Sequence, residues 1–371
     1  MNSEKVRPDK IGKIAVWCIT PGGINIISRL ADKWSNADIY ISSKIQENFP
    51  LQKQKKGKYF CFNKLGNKVA EVFTLYKGHI FIMSTGIVVR MTAPLIKDKT
   101  SDPAVVVVDD KGKYAISLIS GHLGGANDLA EKTAGIIGAQ PVITTATDIN
   151  NLPSVDVMAK RSGFKIENPH VIKTVSMAFL KEQQVNLFDP YMILKNELPK
   201  SYIFQNSALF PGNSEPGIYI SDETADIPEN YLILRPKNLV AGIGCNKGVD
   251  VDEMQTFLMQ VMKKFGLSPM SLRNLASIDI KHDEKGLAEL SENLELPVEF
   301  YSRHDLNLVK NIETPSGMVE KHVGVKSVCE AAAMLSAQAD KLVVVKQKTG
   351  NVTVAIARTA TVVVSIEGTK N

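Results

Sequence analysis

Short, almost unbroken apolar runs alternate with stretches of helical period along the first third of the chain. Lys13–Thr20 reads as a strand, Pro21-Gly22-Gly23 as a turn, and Ile26–Trp34 as an amphipathic helix. Further strands are predicted at Ile39–Ser42, His79–Ser84, Ala104–Val108, Lys113–Ile119 and Pro141–Thr144. Asp109-Asp110-Lys111-Gly112 is the hairpin signal between two of them, and Leu129–Ile137 fits a helix that ends near Gly138. Strands that stay apolar at consecutive positions are buried on both faces, so this segment predicts a largely parallel sheet covered by helices.

The alternation lapses from about Asn151 to Pro236, where Pro190, Pro199, Pro211, Pro216, Pro228 and Pro236 predict a loop-rich module. It restarts with a strand at Leu239–Ile243 and a helix at Val251–Phe265. A strand at Leu275–Ile280, a helix at Leu287–Leu294 and a strand at Val298–Tyr301 follow. Then come a helix at Ser327–Ser336 and strands at Lys341–Lys346 and Val352–Ala357. Thr361–Ile366 offers one more edge strand. The expected fold class is α/β: two three-layer αβα domains with mostly parallel sheets, at residues 1–145 and 238–358. They flank a smaller, loop-rich central module at 146–236, and 359–371 is an extension.

Hydrophobic residues make up 44% of the 371 positions and charged residues 22%, which excludes disorder and supplies several cores. The net charge of +5 is spread as lysines among acids, without the basic face of a nucleic-acid binder. It suits solubility, with a mild pull on a polyanionic small molecule. The run Lys53–Lys58 reads as a solvated loop. Ile14–Ile19 is far short of the ~20 residues of a membrane span, and it lacks the length and the small-residue cleavage site of a signal peptide. Cys18, Cys61, Cys245 and Cys329 stand alone, so neither a zinc knuckle nor a disulfide framework is expected. The expectation is a cytoplasmic protein with free thiols and no metal site.

Two glycine-rich turns carry the candidate chemistry. Gly121-His122-Leu123-Gly124-Gly125-Ala126-Asn127 leads from a strand into a helix, with His122 the one ionisable base beside its glycines. Such a histidine can act as a general base while backbone N–H groups hold an oxyanion; the plain alternative is a histidine that caps or packs under the helix. Gly242-Ile243-Gly244-Cys245-Asn246-Lys247-Gly248 is the second turn, again before a helix. It breaks both the dinucleotide and the phosphate-loop patterns, and leaves either an anion site with Lys247 or a turn chosen for backbone geometry. Asp279, Lys281 and Glu284 follow a predicted strand end and form either an acid/base cluster or a solvated turn, with Glu330 a weaker candidate.

Taken in order, these stretches resemble a known family. Gly86-Ile87-Val88-Val89-Arg90 through Ala93-Pro94, Asp98-Lys99, Asp102-Pro103-Ala104-Val105, the Ser120–Asn127 turn and Thr144-Thr145-Ala146-Thr147-Asp148 resemble the N-terminal domain of the CbiG family, the cobalt-precorrin-5A hydrolases. Gly242–Cys245, Ser277–Lys281 with Glu284, Gly324-Val325, Ser327–Ala331, Lys346–Lys348 and Val352–Ala355 look like its C-terminal domain. The resemblance implies a step of anaerobic cobalamin biosynthesis. Water opens the δ-lactone of a ring-contracted cobalt macrocycle, and a two-carbon fragment leaves as acetaldehyde. On this reading His122 is the expected base, with Gly124 and Gly125 N–H groups as oxyanion donors and Glu284 and Lys281 serving the second step. The expected substrate contacts are Gly86, Arg90, Gly121, Gly124, Gly125, Asn127, Thr145, Gly242, Gly244, Cys245, Lys247, Asp279 and Glu330, around a cleft between the two α/β domains. No cofactor is expected, because cobalt arrives in the substrate. The partner is the cobalt-containing tetrapyrrole, without nucleic acid or membrane, and a homodimer or passing contacts with other enzymes of the pathway fit as well. Two other readings compete: a non-catalytic tetrapyrrole carrier, and a nucleotide-dependent enzyme that the broken glycine patterns disfavour.

Overall fold

The structure is a computed structural model that describes residues 13–34, 37–48, 58–98, 101–122, 124–150, 152–194, 198 and 215–359. The chain divides into two compact units, Met1–Val157 and Met158–Asn371.

The first unit contains β1 (Ile14–Cys18), α1 (Ile24–Lys33), β2 (Ala37–Ser42), β3 (Lys58–Phe62), α2 (Leu65–Val72), β4 (Gly78–Ile82) and α3 (Thr85–Thr92). β5 (Ala104–Val108), β6 (Tyr114–Ile119), α4 (Ala126–Ile137), β7 (Gln140–Val142), α5 (Ala146–Ile149) and the start of α6 (Val155–Arg161) complete it. Its seven strands pair in the order β3-β2-β1-β4-β5-β6-β7. All neighbours are parallel except β5 and β6, which form the hairpin expected from Asp109–Gly112. There the Asp109 carboxylate accepts the N–H groups of Lys111 and Tyr114, and Gly112 takes φ 64°.

Successive strand residues face opposite ways, which makes three layers from one sheet. Val16, Ile39, Ile80 and Val106 pack under α1 and α4, while Trp17, Tyr40, Phe81 and Val105 meet α2 and α3. The second face is aromatic: Trp17 stacks on Tyr40 at 4.1 Å, and Trp17 Nε1 donates to Nδ1 of fully buried His79 at 3.1 Å. Burial lowers the His79 pKa to about 4, so the ring is neutral.

The second unit holds two sheets. The region predicted to be loop-rich carries β8 (Lys165–Ile166), α7 (Ile172–Leu180), β9 (Asn186–Phe188), β10 (Gly217–Ile220) and β11 (Tyr231–Arg235), paired in the order β8-β11-β10-β9. Its prolines punctuate this sheet rather than replace it: Pro190 follows β9, Pro216 precedes β10, Pro228 precedes β11 and Pro236 follows it. Pro199, Pro211, the run 53–57 and the expected strand 361–366 lie outside the described residues.

β12 (Leu239–Cys245), α8 (Val251–Lys264), β13 (Leu272–Ile278), α9 (Lys285–Leu294), β14 (Val298–Tyr301), α10 (Arg303–Leu308), α11 (Gly317–Val323), α12 (Val328–Ala337), β15 (Leu342–Lys348) and β16 (Val352–Arg358) build the last sheet, in the order β14-β13-β12-β16-β15. β12, β13 and β14 run parallel, and β16 and β15 return antiparallel. α8 and α9 cover one face and the alanine-rich α12 the other. Fully buried Asp222, just after β10, ties the two sheets together. It accepts both Nε and Nη2 of Arg358 at 2.6 and 2.7 Å, and Asn238 Nδ2 at 2.7 Å.

Candidate functional site

The first glycine turn is built by backbone the sequence could hardly supply otherwise. Ser120 takes φ 59° and Gly125 φ 85°, so the chain reverses from β6 into α4 within a few residues. A Cβ on Gly124 would lie 2.1 Å from Ser120 Cβ and 2.7 Å from its carbonyl oxygen. The turn therefore closes only on glycine at that position. Its donors close inward as well. Gly125 N–H donates to the His122 carbonyl at 2.9 Å, Ala126 N–H to Ser120 and Asn127 N–H to Gly121, both at 3.0 Å. Gly125 is thus not the oxyanion donor expected of it, while Gly124 N–H meets no acceptor among the described residues.

What the turn presents is His122, whose side chain is 19% exposed. Asp148, in α5, takes His122 Nε2 at 2.8 Å on the same oxygen that receives Asn127 Nδ2 at 2.8 Å. Asn127 is buried, fixed by Ser117 Oγ at 2.6 Å and Thr145 Oγ1 at 3.1 Å, so it sets where the Asp148 carboxylate sits. On the ring's other side Nδ1 faces Ser154 Oγ at 3.2 Å, and Ser154 donates to Asp156 Oδ1 at 2.6 Å. Asp156 Oδ2 lies 3.8 Å from Nδ1. Asp148, Ser154 and Asp156 are the residues that sequence reasoning missed. Asp148 lay inside a matched motif, but nothing marked Ser154 or Asp156.

Gly86 and Arg90 belong to the opposite end of that sheet's strands. Gly86 follows the carboxyl end of β4, with an Arg90 guanidinium nitrogen 3.8 Å from where its Cβ would be. The Gly121 turn instead leaves β6 beside the amino end of β5, where Ile119 pairs with Val105. These two residues therefore do not share a site with His122.

The second glycine turn differs in charge from its expectation. α8 is capped by Asp250, whose carboxylate accepts Asp252 N–H at 2.8 Å, and Asp252 and Glu253 fill its first turn. Glu284 Oε1 takes Gly248 N–H at 2.7 Å and its Oε2 pairs with Lys281 Nζ at 3.0 Å. The Gly248 hydrogen bond first, then Lys281, holds the Glu284 carboxyl below its usual range, which weakens it as a proton acceptor. Carboxylates of the chain already occupy the donors that an anion was expected to use, and Lys247 stands exposed beside them.

Gly242 and Gly244 are explained by packing: an added Cβ would come within 1.9 Å of the Cys329 carbonyl oxygen or 2.5 Å of Thr353 Oγ1. Glu330 is fully buried, accepting Thr314 N–H and Oγ1 and Lys346 N–H at 3.1, 2.7 and 3.2 Å, so it meets no substrate. Cys245 is half-buried, its thiol pKa raised chiefly by burial, and Asp279 is exposed after β13. Among the described residues no group of three or more His, Cys, Asp or Glu is placed to hold a metal ion, and no helix is long and apolar enough to cross a membrane.

Comparison with known proteins matches three consecutive family descriptions. They are cobalamin synthesis G N-terminal at residues 67–148, cobalamin biosynthesis central region at 153–236, and cobalamin synthesis G C-terminus at 239–357. The cobalt-precorrin-5A hydrolase of Priestia megaterium is 35% identical over 93% of this chain and 95% of its own. The chain belongs to the cobalamin synthesis G family. A second member, the cobalt-precorrin-5A hydrolase of Salmonella typhimurium, is 33% identical over 91% of this chain and 94% of its own. A crystal structure of a putative cobalamin biosynthesis protein G homolog from Sulfolobus solfataricus is 21% identical, covers 94% of this chain and 97% of its own, and superposes with a TM-score of 0.35. In this chain the glycine turn that carries His122 falls within the matched N-terminal region, and Ser154 and Asp156 fall within the central one.

Proposed function

We propose that this chain is a cobalt-precorrin-5A hydrolase of cobalamin biosynthesis. It opens the δ-lactone of the cobalt macrocycle with water and releases the two-carbon fragment as acetaldehyde, giving cobalt-precorrin-5B. The family supports the reaction, and one observation of geometry supports the chemistry: His122 is held between Asp148 and the Ser154–Asp156 pair on a partly exposed turn. A carboxylate only accepts, so Nε2 carries its hydrogen toward Asp148 and Nδ1 is left as the basic nitrogen. When Nδ1 takes a proton from the attacking oxygen, Asp148 and Asp156 face the resulting imidazolium from either side. That is the role an orienting carboxylate plays in acyl transfer.

The proton then goes to the lactone oxygen as its bond to the carbonyl breaks. Loss of acetaldehyde takes a proton from that freed hydroxyl, and the electron pair of the breaking carbon–carbon bond enters the conjugated ring. Cobalt belongs to the substrate. Partly exposed Gly121, Gly124 and Thr145 lie near His122 and are the expected contacts of the lactone, while buried Asn127 acts by holding Asp148. The test is anaerobic incubation with the lactone, followed by mass analysis of the macrocycle and an acetaldehyde assay. His122→Ala should retain binding and lose at least ~10²-fold in turnover, as for a lost general base. A protein that binds the lactone but releases no acetaldehyde is a carrier, and the proposal is then wrong.

A further inference from the structure

We infer that Ser154 is the nucleophile that opens the lactone, forming an ester with the protein that water then cleaves. The inference rests on the hydrolase reading and names the group that attacks. Asp148 fixes the Nε2–H tautomer of His122, so the basic nitrogen is Nδ1, and the group at Nδ1 is Ser154 Oγ at 3.2 Å. A hydroxyl within reach of a histidine that a carboxylate orients is the geometry of an activated serine, whatever the order of the residues along the chain. Asp156 holds the hydroxyl at 2.6 Å in the resting state, and its second oxygen, 3.8 Å from Nδ1, faces the cation formed when the hydrogen moves to the ring. Ser154 is itself partly exposed, at the entry to α6. The plain reading of this serine is a helix-start contact with Asp156, which accounts for one of its two partners and leaves the imidazole unexplained.

The steps balance. The Ser154 hydroxyl hydrogen turns from Asp156 to His122 Nδ1, Ser154 Oγ bonds to the lactone carbonyl carbon, and the proton passes to Nδ1. The carbonyl–oxygen bond of the lactone breaks, and the expelled oxygen takes that proton. The freed hydroxyl then loses it again as acetaldehyde departs, and the carbon–carbon electron pair and the proton end on the macrocycle. One water, deprotonated by His122, attacks the ester; its carbon–oxygen bond to Ser154 breaks and the serine regains a proton. The sum is lactone plus water giving acid plus acetaldehyde.

The experiment compares wild type and Ser154→Ala on the lactone substrate, with hydroxylamine as a competing nucleophile. We expect the variant to fold and bind the macrocycle but to lose at least ~10³-fold in acetaldehyde release, on the scale of a deleted triad serine. In wild type, hydroxylamine should divert product to the macrocycle hydroxamate while the two-carbon fragment, read as acetaldehyde plus its oxime, is still released, with the no-enzyme reaction and His122→Ala as blanks. Turnover of Ser154→Ala within tenfold of wild type, or wild-type product free of hydroxamate, overturns the nucleophile and leaves the hydrolase reading standing. Wild type that releases no acetaldehyde overturns both.

Discussion

Replacing Asp148 separates the two things its carboxylate does for His122. In Asp148→Asn the side chain has two ways to sit, and the neighbours decide between them. Asn127 Nδ2 and His122 Nε2 both converge on Oδ2, at 2.8 Å each, so the amide must turn its oxygen toward them; its NH₂ group there would face two donors. The tautomer survives and only the charge is lost. With the nitrogen and oxygen 2.8 Å apart the charge centres lie about 4 Å apart, where unit charges attract by about 1 kcal/mol in water and about 4 kcal/mol at an effective dielectric of 20. Asp148 is 39% exposed, so solvent screening favours the lower end, about 1–2 kcal/mol or roughly five- to thirtyfold in rate. Asp148→Ala also frees the tautomer and the ring, and should lose about 10³-fold or more. The assay is initial acetaldehyde release at saturating lactone, with melting curves for both variants. Equal rates for Asn and Ala, or a wild-type rate in Ala, would refute this division of labour.

Three further outcomes follow from the packing. Gly242→Ala puts a methyl 1.9 Å from a backbone carbonyl on α12, so the helix must move; destabilisation should reach about 3 kcal/mol or more, read by denaturant unfolding, and a melting curve unchanged from wild type would show that α12 does not rest there. His79 is neutral in the fold with its pKa lowered to about 4, so its contribution is complete above pH ~6.5 and is lost as pH falls toward 4. The loss is about 3 kcal/mol, and in His79→Phe the slope of stability against pH over that window should flatten. Asp222→Ala strands the buried side of Arg358 and removes the partner of Asn238, so the central and C-terminal sheets should lose joint unfolding in hydrogen exchange, with β9–β11 exchanging first.

The strands of the first unit were legible because Ala104–Val108 and its neighbours are apolar at every position, a pattern that only a sheet buried on both faces explains. β3, α2 and α3 were not, since Lys58–Phe62 is only partly buried and α3 exposes Ile87 and Val89. The central sheet was hidden by prolines that fall between its strands. His122 was legible as the one imidazole in a glycine turn. Its partners were not, because Asp148 and Ser154 are 26 and 32 residues away and lie in a short polar stretch without period; the sheet, not the local sequence, brings them to the ring. The same cause explains the misread second turn. Its glycines and helix start promise free donors, and only the fold reveals that Glu284, 36 residues on, already takes one.

Two turns that look alike in sequence therefore meet opposite demands. Around Gly248 the donors of Gly248 and Asp252 are taken by the chain's own Glu284 and Asp250 carboxylates, and Gly242, Gly244 and Glu330 are held by contacts too close or too buried for a ligand to share. Around His122 the N–H groups of Gly125, Ala126 and Asn127 are engaged within the turn, but a titratable ring is left partly exposed with its basic nitrogen facing a hydroxyl. A substitution in the first group acts through folding, because the atoms it displaces are backbone and core. A substitution in the second acts through proton transfer, because the atoms it displaces are held by side-chain hydrogen bonds alone. Turnover per folded molecule distinguishes the groups: it should stay near wild type for Gly244→Ala, whose Cβ would press on the Thr353 hydroxyl, while the melting temperature falls. A Gly244→Ala protein that keeps its melting temperature and loses turnover would place the chemistry at the second turn instead.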